Sequence, residues 1–317
     1  MKYIAFVFVL CLSACTTYKV TEDQVFTPVT AYAPPGDGES VDLMLAWEDV
    51  FDGFAPIMIE LEVWAKQKAS ISIPEGELAP VDLEHGFIEQ GEAGIAYTLL
   101  TRDMPERPLI VHCGGSTAAR QDSGTLYGLK LIEFGDALLF DYPGYGDSPG
   151  KTSADSLRAM NVAVAKFVKE ELASERPLIL WGHSLGGFVC TDLLSRLEGV
   201  DGLVLETSVR NAKEVADIAT PWFAKPFVRV VISDELARFD NVAALSGHNL
   251  PILVLGAGED KTLPVPLSRN LSGVLKAAGH DVAYAEFETA NHISVATQPE
   301  FPQIVRDFLA YALKPAA

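Results

Sequence analysis

Pro177-Leu178-Ile179-Leu180-Trp181-Gly182-His183-Ser184-Leu185-Gly186-Gly187-Phe188-Val189-Cys190 decides how this chain is read. Pro177 to Trp181 has the length and apolar composition of a buried strand, and the apolar positions from Gly187 to Leu197 recur at helical spacing. Between them stands Gly-x-Ser-x-Gly. A serine on a sharp turn between strand and helix projects from the backbone with its hydroxyl exposed. Gly182 and Gly186 suit positions where strand and helix backbones approach too closely for a Cβ. The helix start leaves backbone N–H groups free beside Ser184, and that of Leu185 can face a developing oxyanion. The motif alone could be an ordinary glycine-rich turn. The strand before it and the helix after it mark Ser184 as a nucleophile.

Outward from this segment the chain alternates. Short apolar runs that read as strands occur at 95–101, 109–112, 137–140, 177–181, 202–206, 251–256 and 282–288. Thr152-Ser153 caps a helix from about Ala154 to Ala173, with Leu157, Met160, Val164, Phe167, Val168 and Leu172 along one side. Strands alternating with helices predict an α/β domain over 86–317, a mostly parallel sheet covered on both faces. The stretch between the 202–206 and 251–256 strands reads as a small cap insertion. Its segment Thr220-Pro221-Trp222-Phe223-Ala224-Lys225-Pro226-Phe227 is aromatic enough to line an acyl pocket, though core packing would use the same residues.

A serine hydroxyl attacks only when a base takes its proton and an acid holds that base in the right tautomer. Of six histidines, His85, His112, His248 and His280 lie before or within strand contexts, and His183 in the turn points away from its neighbour Ser184. His292 lies in the loop Thr289-Ala290-Asn291-His292-Ile293-Ser294, past the carboxyl end of the last strand, where sites form in open α/β sheets. The acid should also follow a strand, and Asp260, after Pro251–Gly256, is the first choice; Glu259 and Glu206 are the alternatives. The turn His112-Cys113-Gly114-Gly115-Ser116 offers unhindered N–H groups, and Gly114 is the expected second oxyanion donor beside Leu185.

These residues carry a resemblance. Residues 86–317 look like the α/β-hydrolase superfamily through His112-Cys113-Gly114-Gly115, Gly182-His183-Ser184-Leu185-Gly186-Gly187, Asp260 and His292, in the family's order of serine, acid and histidine. Asp141-Tyr142-Pro143-Gly144-Tyr145-Gly146-Asp147-Ser148 is similar to the branch of monoacylglycerol-lipase-like and serine-aminopeptidase-like hydrolases. The family usually carries His-Gly where this chain has His112-Cys113. The resemblance implies a serine hydrolase acting on short- to medium-chain or monoacylglycerol-like esters, with no metal or organic cofactor. A peptidase or acyltransferase would use the same triad, and a non-catalytic envelope protein could keep the fold.

The net charge of −19 leaves no basic footprint for nucleic acid. At the start, Lys2 precedes the apolar run Tyr3–Ala14 and then Cys15. Twelve residues at 1.5 Å each reach about 18 Å, short of a bilayer core of roughly 30 Å, so residues 1–14 read as a secretion signal and not a membrane span. Leu12-Ser13-Ala14-Cys15 resembles the bacterial lipoprotein box, which implies lipidation of Cys15 and a place in the cell envelope. By resemblance to Gram-negative lipoproteins, Thr16 after the cysteine implies the outer membrane. Residues 15–40 read as a flexible tether and 41–85 as a helical extension, with two helices over 41–69. Cys113 and Cys190 sit in apolar contexts and are expected as buried free thiols.

Overall fold

The computed structural model describes residues 16–26, 28, 81–91, 93–104, 106–120, 124–172, 176–220 and 227–314. The proposed signal, the helices expected over 41–69 and most of the cap segment (221–226) lie outside the described residues. The strands are β1 (Thr16–Val20), β2 (Val81–Gln90), β3 (Ala93–Arg102), β4 (Leu109–Cys113), β5 (Asp136–Phe140), β6 (Leu178–His183), β7 (Val200–Glu206), β8 (Val228–Ile232), β9 (Ile252–Ala257) and β10 (Val282–Phe287). The α-helices are α1 (Glu22–Val25), α2 (Thr125–Leu131), α3 (Ala154–Phe167), α4 (Gly186–Leu194), α5 (Ala212–Ala219), α6 (Asn241–Ala244), α7 (Pro266–Ala277) and α8 (Phe301–Ala312).

Eight strands form one sheet in the order β2-β3-β5-β4-β6-β7-β9-β10. The β2–β3 and β3–β5 pairs are antiparallel, and the rest are parallel. The central strands alternate by face, as a period of two requires. Leu109, Val111, Leu178, Leu180, Leu203, Leu205 and Val254 join a core with Leu157 and Met160 of α3, Val189 of α4 and Leu271 of α7. Ile110, Ile179, Trp181, Val204, Leu253 and Leu255 join the opposite core with Leu131 of α2 and Phe301 and Val305 of α8. Both faces are covered, so these strands appear in the sequence as unbroken apolar runs. The chain leaves β4 towards β5 on one side and β6 towards β7 on the other. The β4–β6 boundary is therefore the switch point where the loops part and leave a crevice.

Three expectations are corrected. Residues 16–26, read as part of a tether, are structured: β1 pairs parallel with β8 from Thr16↔Val228 to Val20↔Ile232. Beyond it the Ala154 N–H donates to Glu22 Oε1 at 2.6 Å, and Phe26 is buried with its ring 6.0 Å from that of Phe239. The partner strand is more than two hundred residues away, so no local pattern announces it. The sheet begins at Val81, inside the stretch assigned to a helical extension, because β2 is a polar edge strand without a continuous apolar run. Finally, Cys113 and Cys190 form a disulfide with Cα atoms 6.0 Å apart. β4 pairs parallel with β6, and the helix following β6 packs against β4, which brings two apolar segments 77 residues apart to bonding distance.

Candidate active site

The turn after β6 holds Ser184 at φ 54°, a left-handed conformation uncommon for a residue with a side chain. Glycine is required on both sides. A Cβ on Gly182 would lie 2.5 Å from the Gly186 carbonyl oxygen, and one on Gly186 would overlap the Cys113 carbonyl. The Ser184 N–H donates to the Glu206 carbonyl at 2.9 Å, tying the turn to the end of β7. The Ser208 hydroxyl donates to the Ser184 carbonyl at 3.1 Å.

His292 reaches this serine from the loop after β10. Its Nε2 lies 3.0 Å from Ser184 Oγ, and its Nδ1 lies 2.7 Å from Asp260 Oδ2. Asp260 follows β9; its Oδ1 accepts the N–H groups of Thr262 at 2.8 Å and Leu263 at 2.7 Å, which leaves Oδ2 to the imidazole. The Asp260 side chain is 1% exposed and that of His292 is 16%. A carboxylate held in this way keeps the proton on Nδ1, so that Nε2 accepts the serine proton. The three residues singled out from the sequence are therefore in hydrogen-bond contact in series. Glu259 is exposed, and Glu206 lies beneath the site without a hydrogen bond to the imidazole among the described residues.

The His292 loop has two supports that the sequence did not suggest. His183 Nε2 lies 2.9 Å from the His292 carbonyl, and the Thr207 hydroxyl donates to the same oxygen at 3.3 Å. Burial, with the nearby His292, lowers His183 to about 4, so its ring is neutral and its proton sits on Nε2, since a carbonyl only accepts. Thr207, at φ 43°, is strained for a β-branched residue, and this strain sits beside the site.

On the other side of Ser184 lies the loop after β4. Among the described residues, no acceptor takes the N–H of Leu185 or of Gly114. The aromatic segment after β5 grips this loop: the Tyr142 hydroxyl donates to the Gly114 carbonyl at 2.6 Å and the Tyr145 hydroxyl to the Ser116 carbonyl at 2.8 Å. Asp141 Oδ1 accepts the Arg120 N–H at 2.7 Å and Oδ2 accepts that of Asp147 at 3.0 Å. The segment that carried the family resemblance thus works as a brace.

Beneath the site Glu206 is fully buried, receiving hydrogen bonds on Oε2 from the Tyr127 hydroxyl and from Trp181 Nε1, the latter at 2.9 Å. Its Oε1 finds no partner among the described residues. Burial pushes its pKa up to about 7. The folded state therefore binds a proton between about pH 4.5 and 7 that the unfolded chain has lost, and stability drains away as pH rises through that window. At 1.36 kcal/mol per pKa unit the loss is on the order of 3 kcal/mol. Glu206→Gln keeps both hydrogen bonds and removes the titration. Its melting temperature relative to the parent should rise between pH 5 and pH 8, and a gap constant with pH would contradict this.

Residues 109–281, more than half of the chain, match the family described as alpha/beta hydrolase. The lysophosphatidylserine lipase ABHD12 of Danio rerio is 27% identical over 64% of this chain and 58% of its own length. Protein ABHD12B of Homo sapiens is 30% identical over 64% of this chain and 60% of its own. The chain thus spans less than two-thirds of the length of these relatives. An esterase of Pyrococcus furiosus superposes with a TM-score of 0.57 at 16% identity, over 74% of this chain and 92% of the esterase. An alpha-beta hydrolase from Vibrio vulnificus gives 0.57 at 17%, over 72% and 81%. At these identities the superpositions speak for the fold alone. With its sheet, its strand–serine–helix turn and the match over residues 109–281, the chain belongs to the alpha/beta hydrolase family.

Proposed function

We propose that this protein is a serine hydrolase that cleaves carboxylic esters through an acyl-enzyme. The observation that carries the proposal is the unbroken contact from Ser184 Oγ through His292 to Asp260. Ser184 attacks the ester carbonyl while His292 takes its proton, and the N–H groups of Leu185 and Gly114 receive the oxyanion. His292 then protonates the leaving alcohol, and a water molecule repeats the sequence to release the acid. Relatives named lysophosphatidylserine lipases favour lysophospholipids within the ester class, beside the monoacylglycerol-like esters that the family resemblance implies. A panel of p-nitrophenyl butyrate, monoacylglycerol, lysophospholipid, diacyl phospholipid and an anilide should show turnover of the single-chain esters. Faster cleavage of the anilide than of any ester would replace this reading with a peptidase.

We propose also that Cys15 is lipidated and holds the protein on the periplasmic side of the outer membrane. No helix among the described residues is long and apolar enough to cross a bilayer. Thr16, the residue after Cys15 in the sequence, begins β1. Parallel pairing puts Thr16 opposite Val228, next to the exposed Phe227, at one end of the two-stranded sheet. Cys15→Ser should move the protein from the membrane to the soluble fraction on cell fractionation; retention in the membrane would remove the lipid anchor from consideration.

A further inference from the structure

We propose that the Cys113–Cys190 disulfide is a positioning element of the oxyanion site, fixing the Gly114 N–H relative to that of Leu185. The inference rests on the hydrolase reading above. Cys113 is the last residue of β4 and directly precedes Gly114; Cys190 lies in α4, whose start carries Leu185. Both cysteines are fully buried. The bond therefore links the two elements that supply the two oxyanion donors.

The need for such a link follows from the glycines. Where the loop after β4 meets the turn and the start of α4, Gly186 faces the Cys113 and Gly114 carbonyls, and Gly115 faces His183 and Ser184. A Cβ on Gly186 would overlap the Cys113 carbonyl oxygen and lie 2.7 Å from that of Gly114. A Cβ on Gly115 would lie 3.0 Å from His183 Nδ1. At Gly186 the close approach that the turn demands thus excludes a side chain that could interlock with the loop after β4.

Gly114 itself is a flexible link between two peptide planes. The plane on its carboxyl side is held by the Tyr142 hydroxyl, which donates to the Gly114 carbonyl at 2.6 Å. The plane on its amino side contains the Cys113 carbonyl and the Gly114 N–H, which a trans peptide points in opposite directions. Wherever the Cys113 carbonyl is set against Gly186, the direction of the Gly114 N–H follows. The ladder pairs Cys113 with Gly182 of β6, and the disulfide ties the same residue to α4, with the two Cα atoms 6.0 Å apart. An oxyanion donor acts through pre-organisation, so loosening this plane weakens the transition state more than the bound substrate.

The test compares the parent with Cys113→Ala/Cys190→Ala, using p-nitrophenyl butyrate and a trifluoromethyl ketone that forms a tetrahedral adduct with Ser184. Loss of a whole oxyanion donor costs about 10²–10³-fold in kcat, and a loosened one should cost about tenfold. Inhibition by the ketone should weaken by the same factor, with KM nearly unchanged. A staple with a purely structural role would lower the melting temperature alone. A folded double variant with parental kcat and parental ketone affinity therefore overturns the proposal. Should the variant not fold, the parent reduced by a phosphine, with two thiols titrated, is held to the same two readouts. Two free thiols in the parent isolated from the periplasm would overturn it as well. A fluorophosphonate probe is applied to the parent first; a folded parent that does not label removes the hydrolase reading, and this proposal with it.

Discussion

Replacing Ser184 by alanine is expected to lower ester turnover by about 10⁴–10⁶-fold, the range over which triad enzymes lose activity when the nucleophile is removed. The fold should survive. Alanine carries the same Cβ into the φ 54° conformation, and the backbone bonds from the Ser184 N–H to Glu206 and from Ser208 to the Ser184 carbonyl do not involve the hydroxyl. What is lost is the 3.0 Å contact with His292 Nε2 and the atom that would carry the acyl group. Binding of the acyl chain does not depend on that oxygen, so KM should change far less than kcat. A fluorophosphonate probe should label the parent and leave the variant unlabelled. Turnover in the variant within a hundredfold of the parent would sink the mechanism.

The second large effect separates the two buried acids. Asp260→Asn should reduce kcat by about 10⁴-fold. Its side-chain oxygen would be retained by the N–H groups of Thr262 and Leu263, which already bond Asp260 Oδ1 at 2.8 and 2.7 Å. The amide NH₂ is then left facing His292 Nδ1. A donor there forces the proton onto Nε2, the nitrogen that must accept from Ser184. Glu206→Gln, by contrast, alters a group bonded to Tyr127 and Trp181 and should keep kcat within about tenfold of the parent, since it touches neither reacting atom. Steady-state kinetics of the two variants side by side checks the assignment. If Glu206→Gln cost more than Asp260→Asn, the acid would have been placed wrongly.

The central strands were legible because both faces of β4, β6, β7 and β9 are covered, and their apolar runs stand out against polar loops. The polar edge strand β2 was not, and neither was the pairing of β1 with β8, whose register depends on a partner far along the chain. Ser184, Asp260 and His292 were legible through position, since each follows a strand at the carboxyl edge of the sheet. The supports were not. His183 looked like a spacer in the turn, and Thr207 carried no motif, yet both hold the His292 carbonyl.

The amino-acid sequence by itself determined the central strands of the sheet, the order of its chemistry and the glycines of the turn, because apolar strand runs and close backbone approach are local demands written in consecutive residues. Only the tertiary structure decided which carboxylate faces His292, that Tyr142 and Tyr145 brace the loop after β4, and that Cys113 is bonded to Cys190. Those are distances between segments 28 to 77 residues apart. Nothing in a local pattern measures them; packing on a shared sheet edge does.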